Sequence, residues 1–472
     1  MISTQTICLC SPGIPQPGIC INSPVPLVSP LRRREGLNWS SGFQKGRGSS
    51  TSALKQESSF FSSAEDASKL KVQRSTTVQV AAKHSVVSDL TGTKTVESVD
   101  PISPAQLPAQ LPAQLGSPVD DQLPPLLSMI IDGFPPLEQS EYIHEAEILL
   151  KQYVERYPTI TSLATYCRFG LCAASYAHPG VISLDRIVVM SINYALLFVL
   201  DDLFFDMRAD FLLHQYGVSR DKLESPETIE EYIDHIGAVL GQQVQPCNPP
   251  PLIETMMSEL GRNLMERSNP EWFRYYVDYF LDCQRACIES EVDIIQGRNL
   301  YFQDVESYTV MRAANVAGKL TQVMTEFAND AYIPGILRVD PYFVKITTAA
   351  SIHIGFVNDL FSYHRESAIE KNPRNLITVL MECEGMPFVQ AAQTAVGLTN
   401  KYASEVVDLE AEAWNSTLRH YLVGIKAVLA GNIYFCLADM RYHHPDSAFP
   451  ELRDMTSSWK IVPRKKGQGL KL

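Results

Sequence analysis

The chain reads as an all-α protein, a bundle of long helices around a shared interior. Three observations carry that reading. Ten segments place apolar residues at three- and four-residue steps. The breaks between them carry Pro or Gly, as at His178-Pro179-Gly180, Ile333-Pro334-Gly335 and Glu384-Gly385-Met386-Pro387. No run alternates apolar and polar residues as a half-buried strand does, and no solenoid period is visible.

The elements follow in chain order. Residues 1–56 hold one acidic residue, Glu35, against Arg32, Arg33, Arg34, Lys45, Arg47 and Lys55, in a Ser-, Thr-, Pro- and Gly-rich context. Acid-poor, Ser-rich, basic N-termini resemble organelle transit peptides. The Pro-rich, weakly amphipathic start suits a plastid better than a mitochondrion, so residues 1–60 are expected to be a plastid transit peptide; without import the protein would be cytoplasmic. Within the linker expected over 61–122, P-A-Q-L occurs three times in succession from Pro104 to Leu115. A proline every fourth residue forbids a regular helix, leaving a semi-rigid spacer.

The folded domain is expected over 123–460, before a basic tail at 461–472. Its predicted helices are Glu141 to Arg156, Ser183 to Leu203, Pro226 to Leu240, Leu252 to Arg267 and Trp272 to Ile294. Val305 to Phe327, Pro341 to Ile369, Asn375 to Cys383, Pro387 to Leu409 and Ala411 to Arg441 complete the set.

Composition removes several function classes. The net charge is −13, and no basic stripe marks a nucleic-acid partner. The ten cysteines form no C-x-x-C pair and read as reduced, buried thiols. The most apolar stretch, Ile187 to Leu200, lies between Asp185-Arg186 and Asp201-Asp202. Apolar runs that short are more often core helices than membrane spans.

Two clusters carry chemistry. Asn358, Ser362 and Glu366 stand at i, i+4 and i+8 in F-V-N-D-L-F-S-Y-H-R-E, which in a helix is one face. An amide oxygen, a hydroxyl and a carboxylate in a column suit a hard divalent cation. Asp201, Asp202 and Asp206 end an apolar helix, where acidic groups oppose the macrodipole and repel one another. Bound cations would offset that. Arg312 and the pair Arg441-Tyr442 add groups suited to phosphate oxygens.

These residues resemble the class I terpene synthases, specifically the microbial type with a single α-helical domain, as found in non-seed plants. D-D-L-F-F-D matches the aspartate-rich motif, and Asn358, Asp359, Ser362 and Glu366 match the second metal motif in full. Arg312 matches the diphosphate-sensing arginine, Arg365 the basic residue before the glutamate, and Arg441-Tyr442 the C-terminal pair. The resemblance spans about residues 125–445. It implies a helical bundle with a central active-site cavity, acting as a monomer or homodimer on a small prenyl diphosphate. It implies Mg²⁺, three ions, with Mn²⁺ able to substitute, held by Asp201, Asp202, Asp206, Asn358, Ser362 and Glu366. Arg312, Arg365, Arg441 and Tyr442 would grip the diphosphate. Tyr194, Phe198, Phe204, Phe356 and Phe435 are the candidate aromatic walls of the substrate pocket. The expected reaction is ionisation and cyclisation to a mono-, sesqui- or diterpene, with farnesyl diphosphate favoured over the geranyl and geranylgeranyl compounds.

The match has departures. Phe435 stands where the family often has Trp, and Val316 where it often has Gly, with Gly318 following; which residue near Val316 triggers ionisation stays open. A prenyl-chain elongase would carry two D-D-x-x-D motifs, whereas the second cluster here starts with Asn. A class II cyclase would need D-x-D-D, which is absent. The remaining alternative is a non-catalytic helical interaction protein with both clusters as solvated faces.

Overall fold

A computed structural model describes residues 123–205, 209–295, 302, 304–370 and 372–455. The expected transit segment, the P-A-Q-L linker, the basic tail and Asp206 lie outside the described residues. Among the described residues there is no strand. The helices in order are α1 (Ile143–Glu155), α2 (Leu163–Ala177), α3 (Leu184–Phe204), α4 (Asp210–Tyr216), α5 (Pro226–Leu240), α6 (Leu252–Glu266) and α7 (Pro270–Ile295). They continue with α8 (Val305–Asn315), α9 (Gly318–Asn329), α10 (Gly335–Arg338), α11 (Pro341–Tyr363), α12 (Leu376–Cys383), α13 (Phe388–Glu412) and α14 (Ser416–Ala438).

Helices α3 and α11 form the centre because their sequences leave little polar face. A helix apolar on most sides is stable only when surrounded. Accordingly α3 packs against α1, α2, α6 and α9, and α11 against α8, α9, α13 and α14. By length and composition α3 and α14 are apolar enough to cross a membrane, but 72% of the apolar stretch of α3 is buried inside the fold. The outer helices are amphipathic. In α5, Ile229, Tyr232, Ile233, Ile236 and Leu240 are buried, and Ser225 and Thr228 form a reciprocal capping box ahead of them.

Four features differ from the sequence expectation. Helix α2 is absent from the predicted set because it is buried almost all round, from Phe169 through Ala177 without interruption, so its apolar residues show no period. At Gly170 an added Cβ would lie 2.1 Å from the Ser191 carbonyl oxygen, so glycine permits the close α2–α3 contact. The predicted helix Val305 to Phe327 is two helices, broken at Val316 and Ala317, where Ala317 takes a left-handed φ of 58°. Such a conformation is uncommon for a residue with a Cβ. The Asn315 carbonyl at the break accepts from the Cys287 thiol at 3.3 Å.

The predicted helix Pro341 to Ile369 winds as α-helix only to Tyr363, and His364–Ile369 is a π-helical turn. Single π turns are rare and occur often at functional sites. Finally, the boundary between α13 and α14 falls at Ala413 to Asn415 rather than near Leu409. There the Asn415 side chain caps α14 by accepting from the Thr417 N–H at 2.7 Å.

Candidate active site

Helix ends from distant parts of the chain converge on one cleft, partly open to solvent. The C-terminal end of α3 brings Phe198, Asp201 and Phe205. Helix α7 brings Cys287, Ser290 and Glu291, and the end of α8 brings Met311, Arg312 and Asn315. From α11 and its π turn come Asn358, Arg365 and Glu366. The segment before α12 adds Asn372 and Arg374, and the short 3-10 turn Met440–Tyr442 adds Arg441 and Tyr442. The aspartate-rich end of α3 and the Asn358 face of α11 therefore share a cavity.

Asp201 keeps 43% of its side chain exposed, with the Arg441 guanidinium 3.8 Å away. Asp202, expected beside it as a metal ligand, has a different setting. It is buried and does not line the cleft. The Tyr166 hydroxyl donates to its Oδ2 at 2.6 Å, and Arg441 reaches Oδ1 at 3.1 Å and Oδ2 at 3.4 Å. The two neighbouring aspartates thus divide: one faces the cleft and the other anchors an arginine at its edge. The same guanidinium lies over the Phe198 ring, 5.3 Å from its centroid.

The α11 face shows a parallel division. Asn358 Oδ1 accepts from Arg312 at 2.6 Å, and its amide nitrogen donates to the Tyr442 oxygen at 3.2 Å. The next residue, Asp359, is fully buried. It accepts from the Tyr308 hydroxyl at 2.6 Å and from the Leu376 N–H at 3.2 Å, and pairs with Arg312 Nε at 2.8 Å. Burial pushes the Asp359 carboxyl up to about 6, with Arg312 opposing the rise. Burial also works against the Arg312 charge, yet Asp359 and then Tyr308 and Glu366 hold that guanidinium above its ordinary value. Arg312 fits because Gly355 lies beneath it: a Cβ there would come 2.8 Å from Arg312 Cγ.

Ser362, the middle of the expected column, is buried and does not line the cleft; its hydroxyl donates to the Asn358 carbonyl at 2.7 Å. Glu366 reaches the cleft from the π turn. Its Oε2 accepts from Asn375 at 3.0 Å, and Arg365 lies 3.6 Å from Oε1.

The aromatic candidates separate as well. Phe198 lines the cleft, and Phe435 packs on it with ring centroids 6.1 Å apart and on Tyr442 at 5.6 Å. Phe435 itself and the other three candidates do not line the cleft. Tyr194 pairs with His178 Nε2 at 2.7 Å. Phe204 packs edge-on against Tyr232 of α5, and Phe356 against Tyr402 of α13. Phe205 stands at the cleft in place of Phe204.

Sequence reasoning missed Arg374, Glu291, Ser290, Asn315 and Asn372. Arg374 is buried, forms an ion pair with Glu291, and donates to the Ser290 carbonyl and hydroxyl at 3.2 Å. No motif singles these residues out; a lone Arg in N-P-R-N reads as surface. At the open position near Val316, the structure puts the α8–α9 break. Gly318 follows it, where a Cβ would lie 2.7 Å from the Ser351 hydroxyl.

The comparisons with known proteins agree with this arrangement. Residues 193–405 match the family model described as terpene synthase family 2, C-terminal metal binding. The chain is 24% identical over 199 residues to a germacrene A synthase of Nostoc punctiforme, covering 41% of this chain and 60% of that one. It is 23% identical over 279 residues to sesquiterpene synthase 6 of Postia placenta, covering 57% and 75%. It thus spans less than two-thirds of the Nostoc relative's length. Among solved structures, germacradien-4-ol synthase from Streptomyces citricolor superposes with a TM-score of 0.53 at 16% identity, covering 65% of this chain and 97% of that one. The helical fold, the matched metal-binding region and the two donor-bearing helix ends on one cleft agree: residues 193–405 carry the metal-binding region of the terpene synthases, within a helical fold like that of the solved terpene synthases.

Proposed function

We propose that the protein is a Mg²⁺-dependent terpene synthase that ionises an acyclic prenyl diphosphate and cyclises the resulting carbocation. One observation carries the proposal: Asp201 of α3 and Asn358 and Glu366 of the α11 end line the same cleft as Arg312, Arg365, Arg374 and Arg441. The donor set fits the metal. Carboxylate and amide oxygens are the hard ligands that Mg²⁺ takes, usually alongside substrate phosphates. Asp201 on one rim and Asn358 with Glu366 on the other would hold it; three ions, replaceable by Mn²⁺, belong to the proposal. When bound, the metal supplies Lewis-acid neutralisation of the departing diphosphate.

The remaining chemistry belongs to the chain. The four arginines present donors suited to phosphate oxygens, and Asp202, Asp359 and Glu291 hold three of them in place. Tyr442 ties the C-terminal turn to Asn358. The faces of Phe198 and Tyr442, which line the cleft, can stabilise a passing cation, by roughly 0.5–2 kcal/mol each. Closure over bound substrate would keep out water that would quench a carbocation. The C15 substrate, farnesyl diphosphate, is favoured because relatives of this chain are named sesquiterpene synthases.

The test is incubation with geranyl, farnesyl and geranylgeranyl diphosphates, with product analysis by gas chromatography–mass spectrometry and an assay of released diphosphate. Release from one of them is expected with Mg²⁺ and is expected to vanish with a chelator. Folded protein that releases diphosphate from none of the three would favour the non-catalytic reading. With isopentenyl diphosphate added as the five-carbon donor, a linear C5-extended product would favour the elongase.

The plastid address is part of the proposal and rests on the composition of residues 1–56. The relatives come from bacteria, fungi and amoebae and lend it no support. Residues 1–60 fused to a fluorescent protein should enter chloroplasts in plant cells; fluorescence that stays in the cytosol would refute the address.

A further inference from the structure

A second group of donor atoms lies between α5 and α6. His235 belongs to α5, Glu254 to α6, and Cys247 to the loop joining them. His235 Nε2 is 3.1 Å from Glu254 Oε2 and 3.6 Å from Cys247 Sγ, and one donor atom from each residue lies within 4.8 Å of the others. Of the seven free cysteines among the described residues, Cys247 is the exposed one. It departs from the buried-thiol expectation.

We propose that His235, Cys247 and Glu254 form a site for a zinc-class divalent cation that fastens the α5–α6 loop and keeps one coordination position open. The spacing supports this. Bonds of about 2.0–2.1 Å to nitrogen, 2.0–2.2 Å to oxygen and 2.3 Å to sulfur at tetrahedral angles give N–O and N–S edges of about 3.4 and 3.6 Å. The structure has 3.1 and 3.6 Å. The Glu254 carboxylate takes hydrogen bonds from the His235 and Cys247 side chains, and a cation between the three atoms would replace their protons as the shared partner.

The ligand types select the metal. Thiolate with imidazole suits zinc and disfavours Mg²⁺, which takes oxygen ligands. The surroundings already orient two ligands, as outer partners of metal sites do. The Tyr232 hydroxyl donates to Glu254 Oε1 at 3.2 Å, the Cys247 N–H donates to Oε2 at 2.7 Å, and the Tyr232 ring stacks on His235. The three residues line a cleft that Asp221, Lys222 and Glu231 also border. Lys222 opposes a cation there, but its ammonium is exposed and lies 3.9 Å from Asp221, so solvent and that carboxylate screen it.

The experiment titrates the full chain with Zn²⁺ in excess Mg²⁺ and counts the metal retained after gel filtration. A parallel Co²⁺ titration reads thiolate-to-cobalt charge-transfer absorption. One zinc per chain and the cobalt–thiolate band are expected. Both should weaken by at least about ten-fold in Cys247→Ser and in His235→Asn, and both should persist in Asn358→Ala. No retained zinc, or zinc unchanged in Cys247→Ser and His235→Asn, overturns the proposal. So does zinc lost in Asn358→Ala, which would place the metal at the active-site cleft.

Discussion

Replacing Glu366 by glutamine is expected to slow diphosphate release by about 10²–10³-fold, the usual loss when one preorganised electrostatic group is removed from a reacting site. The substitution isolates charge from shape. Glu366 Oε2 accepts a hydrogen bond from Asn375, whose amide also donates to the Asp359 carbonyl at 2.7 Å and whose own oxygen caps α12. A glutamine oxygen can keep the first of these bonds, so the π turn and the start of α12 should stay in place. Helicity by circular dichroism and the unfolding midpoint should then match the parent. Near-parental turnover would remove Glu366 from the metal-binding set. Loss of helicity would show that its charge holds the turn.

Arg312→Met is expected to act on both stability and turnover. Arg312 is the cationic partner of the fully buried Asp359 and also donates to Asn358. Breaking a buried pair from one side typically costs about 3–5 kcal/mol, because the other charge stays buried. Tyr308 and the Leu376 N–H still serve Asp359, which points to the lower end of that range. The deficit should depend on pH with a definite sign. Burial already raises the Asp359 carboxyl from 3.8 to about 6, and Arg312 is the largest influence holding it down. Without Arg312 the folded-state pKa moves further above the unfolded value, so the folded state binds the extra proton. Stability of the variant is then lost as pH rises through that folded-state pKa, and regained toward acid. Urea denaturation should show a smaller gap from the parent at pH 5 than at pH 8. A gap independent of pH would mean that Asp359 is not the group left uncompensated. Turnover should fall by at least about 10²-fold even where the variant is folded, since the cleft loses a phosphate-facing guanidinium.

Much of the site was legible because its chemistry is written in local spacing. Asn358 and Glu366 sit two helical steps apart, Asp201 ends an apolar helix, and Arg312 and Arg441-Tyr442 complete a known pattern. All of these line the cleft. Less legible was the role of each neighbour. Adjacent residues on a helix point about 100° apart, so one of Asp201 and Asp202 had to turn from the cleft. Which one turned was decided by Tyr166 and Arg441, more than thirty and two hundred residues away in the chain. Phe204 and Phe356 sat at correct helical spacing but on faces turned toward α5 and α13. Arg374 and Glu291 were invisible because each is an isolated charge until the fold pairs them.

The sequence by itself determined the helical class, nearly all the long helices and the oxygen-donor chemistry of two helix ends, because hydrophobic period and residue type are local properties. Helix α2 escaped because burial on all sides erases the period. Only the tertiary structure decided that the two donor-bearing ends meet in one cleft. It alone decided that the chain breaks at Ala317, widens into a π turn at Glu366 and assigns Asp202 and Asp359 to holding arginines. Those outcomes follow from packing and from pairing of buried charge between segments distant in the chain, which no local pattern records.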